Sequence, residues 1–354
     1  MGIYRGWLKI FSLLVSLALP GYGFSQASFY EGKTITILLG TSAGGVGDLR
    51  VRAVAPFLQK HIPGNPIVSV EHMAGAGGRR AANHIFRSAR PDGLTIGGLL
   101  PGTVPDAIMG EAGVLYDIDK LIYLGTPNRG TGHTAFFTRR EAGLDSIEKL
   151  RATPGVRIGA PTVGHPHYFL GRLFAYVLRM TGPRFVTGYS GPEIDIALLR
   201  GEVDGRVHSP DTILLRNQEW LEKRLVDFHI MISLPRGTKH PHAAFARLPE
   251  LETFAKTPRE RKLLDLYEAF RTTGSPLVLP PGTPKDRVAM LQNALRKVFK
   301  DPEFYKEFKK LTGHDAEVVM PEELVQAIRD LPREAEIIDL YKTISGAEPL
   351  PVVK

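Results

Sequence analysis

The stretch LLGTSAGGVGD, residues 38–48, decides the fold because it joins an apolar segment to an amphipathic one through a glycine-rich turn. The segment TITILLG (34–40) is β-branched and continuously apolar, which predicts a strand buried on both faces. After Asp48, apolar residues recur every three or four positions as far as Ile62, which predicts an amphipathic helix. A strand, a tight turn and a helix in this order are typical of an α/β protein with a parallel sheet.

The same alternation of strand and helix continues along most of the chain, whose 354 residues allow two domains with separate cores. Further strands are predicted at 67–72, 94–100, 134–138, 156–160, 184–188, 203–208, 228–233 and 275–280. Helices are predicted near 80–89, 167–181, 191–200, 211–223, 248–270 and 288–298, with more helices closing the chain. The stretch 101–132 reads as irregular.

This order predicts two α/β lobes of similar size, of which the second is inserted into the first. We expect lobe 1 to comprise 26–130 and 238–354, and lobe 2 to comprise 131–237. Ligands of such sheets bind beyond the carboxyl ends of the strands, which in a two-lobed protein face the cleft.

The first 25 residues have the layout of a secretory signal peptide, since Arg5 and Lys9 precede the apolar run 10–19 and Pro20 follows it. That run is about half the ~20 residues that span a bilayer, which favours cleavage after Ser25 over an uncleaved anchor. The chain has no cysteine, which excludes a lipoprotein and disulfide bonds. We therefore expect an exported, soluble periplasmic protein.

Composition narrows the class of function further. Hydrophobic residues make up 43% of the chain, which is typical of a globular protein and argues against disorder. The net charge of +8 is compatible with an acidic ligand, but the basic residues are scattered and form no stripe. We therefore expect no nucleic-acid partner.

The turn after the first strand contains Gly40-Thr41-Ser42-Ala43-Gly44, which matches the G-x-S-x-G turn of serine hydrolases. A secreted serine hydrolase with Ser42 as nucleophile is therefore one alternative. The short mature segment before Ser42 holds no glycine motif of the kind that completes an oxyanion hole. Nucleotide motifs fail as well, because a P-loop needs Lys where Val46 stands and G-x-G-x-x-G fails at Arg50.

A second glycine loop, AGAGGRR (74–80), follows the second predicted strand and opens a helix in the same way. Glycines let the main chain approach a ligand closely, and a helix N-terminus offers unpaired N–H groups and partial positive charge. Two such loops in succession favour an anion site built from main-chain amides. The alternative is that both are merely tight strand-to-helix turns.

These residues resemble the substrate-binding proteins of tripartite tricarboxylate transporters, the Bug family of periplasmic receptors. The resemblance includes the A-G-G-x-x-D loop (43–48), the G-A-G-G loop (75–78), GAPTVGHPHYFLGRLF (159–174), the elements of 188–204 and LPPGTPKDRVAMLQNAL (279–295). It covers nearly the whole mature chain, and the order and spacing of the motifs are specific together.

The resemblance implies a type II periplasmic binding protein fold, with a doubly wound, mostly parallel sheet in each lobe and the ligand in the interlobe cleft. It implies a receptor that captures a small organic carboxylate and passes it to the membrane subunits of a tripartite transporter. Such a receptor acts as a monomer, is not an enzyme and needs no cofactor or metal. An orphan binding protein that feeds a sensor is a further alternative.

The resemblance also carries ligand contacts onto this chain, in a first loop (41–48), a second loop (74–79), a third loop (162–167) and two later positions. The first two loops would hold the carboxylate through main-chain N–H groups, and the second lobe would supply specificity. The predicted contacts are Thr41, Ser42, Ala43, Gly44, Gly45, Asp48, Gly75, Ala76, Gly77, Gly78, Arg79, Thr162, His165, His167, Tyr189 and Asp211.

Several positions depart from the family's pattern. His165 and His167 stand where the family has small hydroxyl residues, and Ser190 replaces a basic residue. These departures open the site to a different ligand, either bulkier or more strongly anionic, so no named substrate is carried over. A metal site at the paired histidines is disfavoured because a spacing of two is not a helical ligand motif and no acidic partner stands nearby.

Four of the predicted ligand contacts have an alternative structural role. Arg79 either faces the cleft or solvates the first helical turn, and Tyr189 either stacks on a flat ligand or packs in the core. Asp48 fits a helix cap that holds the first loop better than a ligand contact, and Asp211 is a second candidate cap.

Overall fold

The computed structural model describes residues 29–130 and 132–351, so the expected signal peptide lies outside the described residues. Within them, ten strands form two five-stranded sheets. The strands are β1 (Thr34–Leu39), β2 (Ile67–His72), β3 (Thr95–Gly98), β4 (Ile122–Gly125), β5 (Gly132–Arg139), β6 (Arg157–Gly159), β7 (Arg184–Val186), β8 (Gly205–His208), β9 (Val226–Leu234) and β10 (Leu277–Leu279).

The helices lie between and after these strands. They are α1 (Val46–His61), α2 (Arg79–Arg87), α3 (Thr103–Ile108), α4 (Ile147–Ala152), α5 (Pro166–Leu178), α6 (Gly191–Leu199), α7 (Pro210–Arg216), α8 (Glu219–Glu222), α9 (Ala243–Ala246), α10 (Pro258–Thr273), α11 (Lys285–Val298), α12 (Pro302–Thr312), α13 (Pro321–Arg329) and α14 (Ala335–Ser345). None of those in the described residues has the length and apolar character needed to cross a membrane.

The two sheets have the same topology. The first has the order β2-β1-β3-β10-β4, and the second has the order β7-β6-β8-β5-β9. In the first sheet β1 pairs in parallel with β2 and β3, and β10 runs antiparallel to both of its neighbours. In the second sheet β6 pairs in parallel with β7 and β8, and β5 runs antiparallel to β8 and β9. The prediction of two α/β lobes with mostly parallel sheets is confirmed, with one reversed strand in each.

The chain passes from the first sheet to the second between β4 and β5 and returns to the first sheet at β10. The last helix, α14, packs on α5 of the second lobe and on α10, and its Ile337 belongs to the same core as Leu38 of β1. On α5 the buried Arg172 donates from Nε to the carbonyl of Ile344 over 2.9 Å. The division of the chain into lobes at 130 and 238 stays a prediction.

The stretch 101–132 is more regular than its sequence suggests, because it contains α3 and β4. These elements span six and four residues, which is too short for a periodic apolar pattern to identify them. β4 is nevertheless the edge of the first sheet and leads directly to the crossing.

Burial along α1 fixes the direction of the helix. Val51, Val54 and Leu58 are buried, as the apolar pattern predicts, and they belong to the same core as Ile35 and Ile37 of β1. Packing of this face on the sheet holds the start of α1, at Val46, near the carboxyl end of β1, at Leu39. That placement positions the first loop.

Candidate functional site

Sheet topology places the predicted loops at equivalent points in the two lobes. In the first sheet, β2 and β3 lie on opposite sides of β1. In the second sheet, β7 and β8 lie on opposite sides of β6 in the same way. A crevice forms outside the carboxyl ends of strands where the order reverses in this way, and such crevices bind ligands. The first loop follows β1, the second loop follows β2, and the third loop follows β6.

The main chains of the first and second loops meet at two glycines. A Cβ on Gly40, directly before the first loop, would lie 2.8 Å from the Cα of Gly78. Gly78 has a φ of +94° and leaves no space toward Leu100, whose Cγ would be 2.9 Å from an added Cβ. Only glycine fits both positions, so the sequence brings these two turns into direct contact.

Several main-chain amides of the two loops remain available. The amide of Gly44 donates to Asp48 Oδ2 over 2.8 Å, and the amide of Gly78 donates to the carbonyl of Gly75 over 3.0 Å. These two predicted contacts therefore use their N–H groups inside the loops. Among the described residues, no hydrogen bond uses the amides of Ser42, Ala43, Ala76 and Gly77.

Asp48 holds the first loop in place. Its carboxylate is buried and accepts from Gly44, from Arg52 Nε at 2.9 Å and from His72 Nε2 at 2.8 Å. Burial opposes ionisation, but these hydrogen bonds lower the pKa of Asp48 to about 2. The N-cap position of α1 is Gly45, so Asp48 acts from within the first turn. Its carboxylate thus links the first loop to α1 and β2 through hydrogen bonds.

Arg79 of the second loop is paired within the first lobe. Its Nη1 lies 2.9 Å from Asp106 Oδ2, and both side chains are mostly buried. A guanidinium at the first position of a helix opposes the helix dipole, and the ion pair with Asp106 compensates for that cost. The positive charge of Arg79 is thus balanced by a carboxylate of α3.

The third loop presents imidazoles beside a buried cation. His165 is the N-cap of α5, and its Nδ1 accepts from the amide of His167 over 3.1 Å. Burial lowers the pKa of His167 to about 4 and that of His208 to about 3, with the charge of Arg206 adding to both. Arg206 itself is 1% exposed and is paired with Asp195. The histidines here are neutral at pH 7.

The remaining predicted contacts have partners of their own. The hydroxyl of Tyr189 donates to Glu202 Oε2 over 3.4 Å, and its ring packs against a hydrophobic cluster. Asp211 is exposed and lies 3.1 Å from His240 Nε2, while the N-cap of α7 is Ser209. The carbonyl of Thr162 accepts from the amide of His165. Residues 29–130 and 132–351 contain no group of three or more side chains placed to hold a metal ion.

A cavity of about 860 Å³, here called the interlobe cavity, separates the two lobes. The second lobe contributes Gly164, Pro166 and Asp211 to its wall, and the first lobe contributes Arg50. Of the predicted contacts, only Asp211 appears in this wall, so the first and second loops lie outside it. Arg50 and Arg271 were not predicted from the sequence, because they are far apart in the chain and line one cavity only in the folded protein.

The geometry around Ser42 does not resemble a nucleophile elbow. Such a serine sits on a strained turn, whereas the described non-glycine residues with positive φ are Asn65, Ala76, Arg179 and Arg224. The nearby imidazole of His72 is bonded to Asp48, and no hydrogen bond in the described residues joins a histidine to Ser42. This arrangement lacks the serine–histidine pair that the hydrolase alternative requires.

No protein-family model and no curated protein matches the sequence of this chain. Its fold is similar to that of a TctC solute binding protein from Polaromonas, with a TM-score of 0.60, 18% identity and coverage of 89% of this chain and 98% of that one. BugD, a periplasmic binding protein, gives a TM-score of 0.49 at 19% identity, over 90% and 99% of the two chains. MatC from Rhodopseudomonas palustris, solved with malate, gives 0.48 at 19% identity, over 88% and 99%. The first similarity confirms the two-lobed periplasmic binding protein fold.

Proposed function

We propose that this protein is a periplasmic solute-binding receptor of the Bug type, which captures a small organic carboxylate for a tripartite tricarboxylate transporter. The observation that carries the proposal is the pair of glycine loops packed main chain to main chain beyond β1 and β2. Their open amides offer donors to one acidic group without a side chain in between.

Main-chain amides can supply enough binding energy for a receptor. A hydrogen bond from an amide to a carboxylate contributes about 1.5–3 kcal/mol. Three or four such bonds reach the ~8 kcal/mol of micromolar affinity even after the costs of association. The positive end of α1, which begins at Val46, adds to this attraction.

Two of the chain crossings between the lobes lie side by side and would form a hinge. The amide of Gly130 donates to the carbonyl of Arg271 over 2.8 Å, and an added Cβ on Gly274 would overlap the carbonyl oxygen of Asn128. The crossing segments therefore lie side by side and can bend together. Val46 and Val163, at the tips of the first and third loops, are about half exposed, and closure of the lobes would cover both.

The protein would bind and release its ligand without chemistry or a cofactor. Export by the expected signal peptide would place it in the periplasm as a monomer, where the closed form meets the membrane subunits of the transporter. A sensor in place of a transporter is compatible with the same site. The serine hydrolase alternative is not supported by the geometry at Ser42.

The proposal is tested with the purified chain beginning at Gln26 and a thermal-shift screen of mono-, di- and aromatic carboxylates. A ligand that binds only the folded state at 100 times its Kd stabilises it by about 2.7 kcal/mol, which raises the melting temperature. The primary amides of the same acids serve as controls and should have no effect. A protein that no acid stabilises, or whose Ser42 is labelled by a fluorophosphonate probe, would contradict the proposal.

A further inference from the structure

Arg50 is a cation without a partner in the wall of the interlobe cavity. It lies in the second turn of α1 and is partly buried. In the part of the chain that the structure describes, no carboxylate lies within ion-pair distance of its guanidinium, and no side-chain hydrogen bond uses it. The acid nearest to it on the helix, Asp48, is already bonded to Arg52.

Arg271 contributes a second guanidinium to the same cavity from the last turn of α10. Its Nε donates to the carbonyl of Gly130 over 3.2 Å, which anchors the side chain at the crossing between the lobes. No described carboxylate pairs with it. Both guanidinium groups line the same cavity. Burial lowers the pKa of Arg50, and the positive charge of Arg271 lowers it further.

A third arginine in the same wall behaves differently. Arg129 forms an ion pair with Glu323, so its charge is balanced inside the protein. The wall also carries Lys309, which pairs with Asp315, and the carboxylates of Asp211 and Glu317. Among the described residues none of these carboxylates forms an ion pair with Arg50 or Arg271, so the wall holds one paired and two unpaired guanidinium groups. Like charges that share a partly dry cavity are unfavourable, and an anion placed between them removes the repulsion.

We propose that Arg50 and Arg271 form a second anion-binding subsite, which takes a second acidic group of the ligand inside the interlobe cavity. This inference rests on the proposed function, in which the main-chain amides of the first and second loops hold the first acidic group. Guanidinium groups suit this task because their planar donors match the two oxygens of a carboxylate.

Position along α1 gives the separation of the first loop and Arg50 along the main chain. Arg50 follows the N-cap Gly45 by five residues, and a rise of about 1.5 Å per residue separates them by roughly 8 Å along the helix. A ligand that reaches both subsites therefore carries its acidic groups at opposite ends of a short chain. Tyr267 and Tyr341 line the same cavity, and burial raises the pKa of both, so their phenols stay protonated and able to donate.

The test compares linear dicarboxylates from succinate to suberate with monocarboxylates of equal length, by isothermal titration calorimetry on the mature chain. The wild type should bind at least one dicarboxylate more than tenfold more tightly than its monocarboxylate. Arg50→Gln and Arg271→Gln should each remove most of that preference and leave monocarboxylate affinity within about twofold. Arg129→Gln is the matched control, because it removes a paired charge from the same wall and should leave the preference intact.

The possible failures are distinguishable. A wild type that binds monocarboxylates as tightly as dicarboxylates, or an Arg50→Gln variant that keeps the full preference, overturns the subsite and leaves the proposed function standing. A wild type that binds no carboxylate overturns both. Melting curves confirm that each variant folds, and Arg50→Lys, which keeps the charge but loses the planar fork, should retain part of the preference.

Discussion

The two lobes have the same strand order but present different chemistry where α1 and α5 begin. The loop before α1 is held by the ionised carboxylate of Asp48, whereas the loop before α5 is held by the neutral imidazole of His165. In the proposed function the first lobe would offer main-chain amides to a ligand, and the second lobe would offer side chains. Equivalent topology thus places the two loops at corresponding points, while their residues differ in which polar atoms they present.

The glycines of the loops fall into close-packed and open positions. Gly40 and Gly78 are close-packed against neighbouring atoms, so neither accepts a side chain. Gly164 and Gly188 in the second lobe have no atom within 4 Å of an added Cβ, although their positive φ still favours glycine. Gly44 of the first loop is as open as Gly164, so the close packing is confined to the point where the first and second loops touch. That contact fixes the two glycine loops to each other.

Loss of the carboxylate that holds the first loop should have the largest effect. Asp48→Asn removes the charge from a buried side chain that accepts three hydrogen bonds, which should cost about 2–3 kcal/mol of unfolding free energy. Affinity for carboxylates should fall as the loop loosens. Urea unfolding and calorimetry measure the two effects. His165→Ala, the corresponding change in the second lobe, removes one cap and should cost only ~1 kcal/mol.

Separating the two glycine loops should have the next largest effect. Gly40→Ala places a methyl group against the main chain of Gly78, which should destabilise the fold by about 1–3 kcal/mol and weaken carboxylate binding at least tenfold. Gly191→Ala is the matched control, since Gly191 has open space around it and an ordinary φ. Equal affinities of the two variants would show that contact between the loops does not matter for binding.

As the pH falls, the second lobe should lose stability before the first lobe does. The pKa values of His167 and His208 lie near 4 and 3, below the ordinary 6.5, so stability should fall as the pH drops from 6.5 towards 4. The pKa of Asp48 lies near 2, below the ordinary 3.8, so its contribution of about 2 kcal/mol persists above pH 4 and is lost towards pH 2. Hydrogen exchange at pH 7, 5 and 3.5 should show α5 losing protection before α1 does. The reverse order would refute this assignment.

The smallest effect is expected at Arg79, although the sequence placed it among the ligand contacts. Because its charge is paired with Asp106, Arg79→Gln should change carboxylate affinity less than threefold and stability by no more than ~1 kcal/mol. Titration of this variant beside Arg50→Gln measures the contrast. A tenfold loss in Arg79→Gln would mean that the guanidinium leaves Asp106 for the ligand.

Local pattern was sufficient to predict the architecture and the position of the loops. The buried strand before Gly40, the apolar repeat along α1 and the glycine loop before Arg79 all lie within short stretches of chain, where periodicity and turn chemistry act. β4 and α3 were missed because they are too short to show a period. The role of Asp48 as the anchor of the first loop was also readable from its position near a helix start.

What the sequence could not predict depends on distant residues that meet. Arg50 and Arg271 are separated by most of the chain, and only folding places both in one cavity, where no described carboxylate pairs with either. The ion pair of Arg79 with Asp106 bridges two helices, and the burial of Arg206 depends on packing within the second lobe. Neither follows from spacing along the chain.

The most direct test of the account is an amide NMR titration of the mature protein with a carboxylate that stabilises it. Hydrogen bonding to an acidic group shifts an amide proton downfield. The account predicts such shifts at Ser42, Ala43, Ala76 and Gly77, whose amides have no partner among the described residues. Binding that leaves these four amides unmoved and shifts only resonances of the second lobe would contradict it.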